Sequence, residues 1–91
     1  MPDPIVRVSP TTRASISGDG LVLLDVDCGL VLAANPIGAR IWQLLEERRP
    51  LDDIARHLAG EYDVAVERAR TDVHAFVATL VARGLVTREG R

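Results

Sequence analysis

Apolar positions along this chain change their period once. Up to about residue 34 they alternate or run continuously, and beyond it they recur every third or fourth residue. Ile5-Val6-Arg7-Val8 is a short alternating segment ended by Ser9-Pro10, and it predicts a first strand. Residues 11–20 are polar and close on Gly18-Asp19-Gly20, a turn signal. Leu21 to Val26 favours a strand, with Val22, Leu24 and Val26 on one face and Leu21, Leu23, Asp25 and Asp27 on the other. After Asp27-Cys28-Gly29, Leu30-Val31-Leu32-Ala33 predicts the next strand. Two apolar runs joined by three residues ending in Gly make an antiparallel hairpin. Three strands are thus expected before any helix.

Asn35-Pro36 starts the helical half, because Asn is a favoured N-cap and Pro suits the first helical position. Ile37, Ile41, Leu44 and Leu45 follow as one apolar stripe; Arg48-Arg49 suits the dipole at the far end, and Pro50 stops the helix. A second helix is predicted over about Leu51 to Gly60, with Ile54, Ala55 and Leu58 on its buried face and an exposed Asp52–Arg56 pair. Either Gly60 or Glu61-Tyr62-Asp63 breaks it. The third helix, roughly Val66 to Arg83, carries Val66, Ala69, Val73, Phe76, Val77 and Leu80 as a core stripe, and Gly84 ends it. Leu85-Val86-Thr87 is either a last short strand or a tail packed on the core. The expected class is α+β, a three-stranded antiparallel sheet followed by three helices, in one domain over 1–91 with its core at about 5–87.

Composition narrows what such a domain does. Hydrophobic residues make 47% and charged residues 26% of the 91, which excludes the disordered class. Trp42, Tyr62 and Phe76 are the only aromatics. Every basic residue is Arg, and the net charge of −2 argues against a nucleic-acid partner. No stretch approaches the ~18 apolar residues of a spanning helix, so no membrane is expected. Met1-Pro2-Asp3-Pro4 is unlike a signal peptide, and one cysteine makes no internal disulfide; the expected location is the cytoplasm.

Catalytic vocabulary is short. Cys28 sits in a turn, His57 lies one step off the apolar positions of its helix and reads as half-exposed, and His74 has a similar place in the third helix. This scatter matches no zinc spacing, and no phosphate-binding glycine loop occurs, so no metal or cofactor is expected. Asp52-Asp53 favours a helix N-terminus, while Glu46-Glu47 reads as a solvated helix end. An enzyme is not expected; function belongs to a surface.

Two surfaces qualify. The second and third helices with adjoining β structure outline a winged helix, an architecture often used to read DNA. Its recognition helix would open with Glu67, Arg68, Arg70 and Asp72, where two arginines are offset by two carboxylates, Arg68 pairing with Asp72. The other surface is the sheet. Leu30–Ala33 carries no charge and no Pro, so as an edge strand it would be an open template for an extended peptide. Alternatively that strand is central, or covered by the third helix.

The hairpin Gly20-Leu21-Val22-Leu23-Leu24-Asp25 through Gly29-Leu30-Val31-Leu32-Ala33 runs directly into Asn35-Pro36-Ile37-Gly38-Ala39-Arg40-Ile41-Trp42-Gln43-Leu44-Leu45. Leu51-Asp52-Asp53-Ile54-Ala55-Arg56-His57-Leu58 follows, then Asp72-Val73-His74-Ala75-Phe76-Val77-Ala78-Thr79-Leu80 with Gly84-Leu85-Val86. Over roughly residues 20–87 this pattern resembles the PqqD-like family of peptide chaperones, or RiPP recognition elements. It is most similar to the stand-alone leader-binding proteins of lasso-peptide biosynthesis. The most specific piece is the Asn followed by Ile-Trp-x-Leu-Leu, although Trp42 itself reads more simply as packing. The resemblance implies three antiparallel strands followed by three helices in a winged-helix-like arrangement. It also implies that the leader of a ribosomally made precursor peptide adds as a strand beside the third helix. The bound leader would be presented to a separate cysteine-protease-like leader peptidase, and a cyclase would then close the ring. Carried onto this sequence, the peptide-binding positions are Leu30, Val31, Leu32, Ala33 and Ala34 on the strand. On the helix they are Ala69, Arg70, Asp72, Val73, His74 and Val77.

Overall fold

The tight turn at Gly18-Asp19 sets the first hairpin. In the computed structural model, which describes residues 5–89, it joins β2 (Thr12–Ser17) to β3 (Gly20–Asp25) in a register running from Ser17↔Gly20 to Thr12↔Asp25. A four-residue loop then leads to β4 (Leu30–Ala34), which pairs antiparallel with β3 from Asp25↔Leu30 to Leu21↔Ala34. The result is a three-stranded sheet of order β2-β3-β4. The remaining elements are β1 (Ile5–Val8), α1 (Pro36–Glu46), α2 (Leu51–Tyr62), α3 (Val66–Ala82) and β5 (Val86–Glu89). The Met1–Pro4 segment, read as unlike a signal peptide, lies outside the described residues.

The α+β class and three helices stand, but the sheet recruits a different first strand. Ile5–Val8 does form a strand, yet it pairs with β5 in a separate two-stranded sheet, Val8 opposite Val86. The place beside β3 is taken by Thr12–Ser17, from the segment expected to be a turn. Its side chains are exposed from Arg13 to Ser17, so it needs no apolar alternation and carries none. Of the Leu85-Val86-Thr87 segment, Val86 and Thr87 open strand β5 and Leu85 leads into it, with Leu85 and Val86 buried against the core.

Each helix ends for a local reason. Asn35 caps α1 by accepting the Gly38 N–H at 2.9 Å. α2 passes through Gly60 and stops at Asp63, whose φ of 55° is left-handed. Beyond α3, Gly84 at φ 75° lets its own N–H reach the Val81 carbonyl and the Leu85 N–H reach the Leu80 carbonyl, both at 3.0 Å. Leu80 and Leu85 are fully buried there, closing the turn with an apolar contact.

One core joins these pieces. Leu21 and Leu23 from β3 meet Ile41, Trp42, Leu44 and Leu45 from α1, Ile54 and Leu58 from α2, and Ala69, Val73, Val77 and Leu80 from α3. Trp42 packs as expected, although its indole Nε1–H finds no hydrogen-bond partner among the described residues. Phe76 departs from the expected stripe: it is only half-buried, at the margin of the core. No helix of the described residues is long and apolar enough to cross a membrane.

Candidate functional site

Among the described residues β4 is an edge strand whose one strand neighbour is β3, and a groove with α3 as its far wall opens along its free side. Hydrogen bonds at the sheet's end fix which backbone groups face outward. The Val26 N–H donates to the Thr11 carbonyl at 3.0 Å, on the β2 side, and the Gly29 N–H donates to the Asp25 carbonyl at 2.8 Å. Backbone groups alternate along a strand, so Asp25, Leu23 and Leu21 point toward β4 and bond Leu30, Leu32 and Ala34. Val31 and Ala33 therefore turn their N–H and C=O groups to the open edge. No charge, Pro or bulge blunts it.

Beside that edge lies a groove of about 500 Å³. Leu32, Ala33, Ala34 and Asn35 make one wall, and Arg68, Asp72, Phe76 and Thr79 of α3 make the other. Ile37, Gly38 and Ile41 of α1 complete the lining. Gly38 makes this close packing possible: a Cβ there would stand 2.7 Å from Ala34 Cβ and 3.4 Å from Phe76 Cε1. The lining is mainly apolar. Its one charged element is the Arg68–Asp72 pair, 3.5 Å apart and largely solvated.

The expected site residues divide into groups. Leu32, Ala33, Ala34 and Asp72 line the groove. Leu30 and Val31 lie on β4 outside the lining, Val31 contributing its outward backbone. Ala69, Val73 and Val77 are buried beneath the helix, in the core. Arg70 turns toward α2, where its Nε and Nη2 donate to Asp52 Oδ1 at 2.9 and 2.7 Å. His74 is exposed and lies outside the lining. The groove-facing stripe of α3 is instead Arg68, Asp72, Phe76 and Thr79, each one residue before the core stripe Ala69, Val73, Val77 and Leu80. The offset was available as a helical-wheel position, but only the fold says which flank of the stripe faces the sheet edge.

Ion pairs brace the helices around the groove. Asp52 also takes Arg56 Nη1 at 2.9 Å, and its carboxyl is held below the usual range, chiefly by the Arg70 hydrogen bond. Arg40 of α1 clasps Glu61 of α2 at 2.8 Å; this bond lowers the Glu61 carboxyl and raises the Arg40 guanidinium. His57, half-exposed as expected, lies 3.1 Å from the same Glu61 oxygen. Arg68 and Arg70, the cations of the DNA-reading alternative, are both engaged with carboxylates. Among the described residues no group of three or more His, Cys, Asp or Glu is placed to hold a metal, and Cys28 is free and exposed.

Comparison with solved structures finds this architecture elsewhere. One match is "TbiB1 in Complex with the TbiA(beta) Leader Peptide", with a TM-score of 0.82 and 28% identity over 93% of this chain and 96% of that one. Another, "Lasso peptide synthetase B1 complexed with the leader peptide", has a TM-score of 0.81 and 30% identity over 90% and 96%. The PqqD truncation of Methylobacterium extorquens PqqCD, described as a stand-alone RiPP recognition element, shares the fold at a TM-score of 0.77. It is 18% identical, over 91% of this chain and 88% of that one. Among curated proteins none matches the chain. The family model for coenzyme PQQ synthesis protein D covers residues 20–86, the β3–β4 hairpin through the first residue of β5, and the chain belongs to this PqqD family.

Proposed function

We propose that this protein is a non-catalytic adaptor that binds the leader segment of a ribosomally synthesised precursor peptide, in lasso-peptide biosynthesis. The leader adds as a strand to β4, beside α3, and is presented to a separate leader peptidase and cyclase. One observation carries the reading: the unpaired, uncharged backbone of Val31 and Ala33 borders an open groove with an apolar wall. A strand on that edge gains main-chain hydrogen bonds, and its alternate side chains enter the groove opposite Leu32 and Ala34. Ordering the leader costs about 1 kcal/mol per residue, so apolar anchors against Phe76 and Ile41 must offset it. Two similar proteins solved with leader peptides support the assignment.

Binding would use Leu30–Ala34 directly, with Asp72 at the groove wall. Ala69, Val73 and Val77 would hold α3 in place from below, and Arg70 and His74 would flank the helix. The test is calorimetric titration with synthetic leader peptides encoded beside the gene. Saturable binding is expected, and Val31→Pro should abolish it by removing an edge N–H that the β3–β4 ladder does not use. Binding to none of the leaders, or unchanged affinity in Val31→Pro with its helical signal intact, would refute the assignment.

A further inference from the structure

The three-stranded sheet has a second edge. Among the described residues β2 has one strand neighbour, β3, and its side chains are exposed from Arg13 to Ser17. Backbone alternation fixes which of its groups face outward. The Val26 N–H points toward β2, as do the backbone groups of Leu24 and Val22, so their partners Arg13 and Ser15 turn inward. Thr12, Ala14 and Ile16 turn outward. The Thr12 N–H already donates to the Ser9 carbonyl at 3.1 Å, which leaves Ala14 and Ile16 as the open stretch. No Pro or bulge interrupts it, and Ile16, the one large apolar side chain of the strand, is 42% exposed. The groove takes none of its lining from β2, so no wall stands beside this edge to hold the side chains of a passing peptide.

We infer that this edge pairs with the same edge of a second copy of the chain, antiparallel about a twofold axis at Ser15. In that register Ala14 falls opposite Ile16 of the second copy and Ile16 opposite its Ala14, each pair exchanging N–H and C=O bonds. The two Ile16 side chains then lie one diagonal step apart, about 7–8 Å, on the face that β3 buries through Leu21 and Leu23. Charge selects the same register. Arg13, the only charged residue of the strand, falls opposite Ser17 of the second copy, a diagonal step from its Asp19. Within its own chain the Arg13 guanidinium donates to the Pro10 and Thr12 carbonyls, at 3.4 Å each, and to no carboxylate among the described residues. A parallel, in-register pairing would instead set the two Arg13 side chains opposite each other, which like charges disfavour. The product is one continuous sheet of order β4-β3-β2-β2-β3-β4. Both β4 edges stand at its outer ends, so each copy keeps its groove open.

The test is sedimentation velocity on the whole protein, with no peptide present, over a concentration series from about 10 µM to about 1 mM. The pairing is smaller than a standard interface, so a dissociation constant of about 0.1–1 mM is expected, the mean mass climbing from one chain toward two. Ile16→Pro removes an outward N–H that the β2–β3 ladder does not use and should keep the protein monomeric throughout, with its circular dichroism unchanged. Arg13→Glu sets carboxylates against each other across the axis and should weaken association about fivefold; adding Asp19→Arg should restore it. Val31→Pro, at the opposite edge, should associate as the wild type does. A wild type that stays monomeric to the top of the series overturns the inference. So does association that survives Ile16→Pro, or that Val31→Pro abolishes, since the contact would then lie elsewhere. Should Ile16→Pro lose its sheet, the charge pair decides: full association in Arg13→Glu, or no recovery in the double variant, overturns the register.

Discussion

Nε and Nη2 of Arg70 both close on a single carboxylate oxygen of Asp52, at 2.9 and 2.7 Å, and tie α3 to α2. This placement takes Arg70 out of the groove and makes it a brace between helices. The side chains are 43% and 23% exposed, so solvent screens the pair and its contribution is near the upper end of the surface range, about 1 kcal/mol. Arg70→Ala should lower unfolding stability by that amount in urea and leave leader affinity within about twofold. A large loss of affinity at unchanged stability would put Arg70 in contact with the peptide.

Gly38 offers the opposite separation. An added methyl would overlap Ala34 Cβ, 2.7 Å away, at the end of the binding strand. Ala improves helix propensity by up to about 1 kcal/mol, which offsets part of the overpacking cost of about 1–3 kcal/mol. Gly38→Ala should therefore cost at most about 2 kcal/mol of stability, but lower leader affinity about tenfold by pushing Ala34 or Phe76 into the groove. Calorimetry beside a thermal melt measures both; unchanged affinity would mean that the end of β4 yields freely.

What the sequence exposed and what it hid differ physically. The β3–β4 hairpin, the Asn35 cap and the Gly84 stop were legible because each rests on local chemistry: two apolar runs, a side chain bonding its own turn, a left-handed residue. β2 was hidden because it is an exposed edge strand whose only large apolar residue is Ile16, so no burial imprints a period on it. β1 was found but assigned to the wrong sheet, since its partner β5 lies at the far end of the chain. The groove's strand wall followed from the uncharged run Leu30–Ala33. Of its helix wall only Asp72 did, because stripes on either flank of Ala69, Val73 and Val77 look equally plausible until topology places one beside β4.

Gly84 isolates backbone strain from packing. A Cβ there meets nothing within 4 Å, yet φ is 75°. Gly84→Ala should destabilise the fold by about 1–2 kcal/mol through conformation alone. Leader affinity should not change, because Gly84 does not line the groove. A loss of stability below the error of a urea melt would show that the turn relaxes out of the left-handed region.

Acid should weaken the fold through three carboxylates. Asp25 accepts the Asp27 N–H at 3.0 Å and the Thr11 hydroxyl at 3.1 Å, and its carboxyl is lowered chiefly by the Asp27 backbone bond. Asp52 and Glu61 are lowered by Arg70 and Arg40. Each titrates lower in the folded chain than in the unfolded one, so the stabilisation is complete above the unfolded values of about 4. It is lost as pH falls through the folded values, because the unfolded chain then binds more protons. The fluorescence of Trp42, the only tryptophan and 1% exposed, reports the transition. Its thermal midpoint should hold steady from pH 7 to about 5 and fall progressively once the pH drops below the unfolded values of about 4. Asp25→Asn keeps an oxygen to accept both hydrogen bonds but removes the titration, so its midpoint should start lower and fall less steeply. An equal acid response in that variant would exclude Asp25 as a contributor and leave Asp52 and Glu61 to account for the loss.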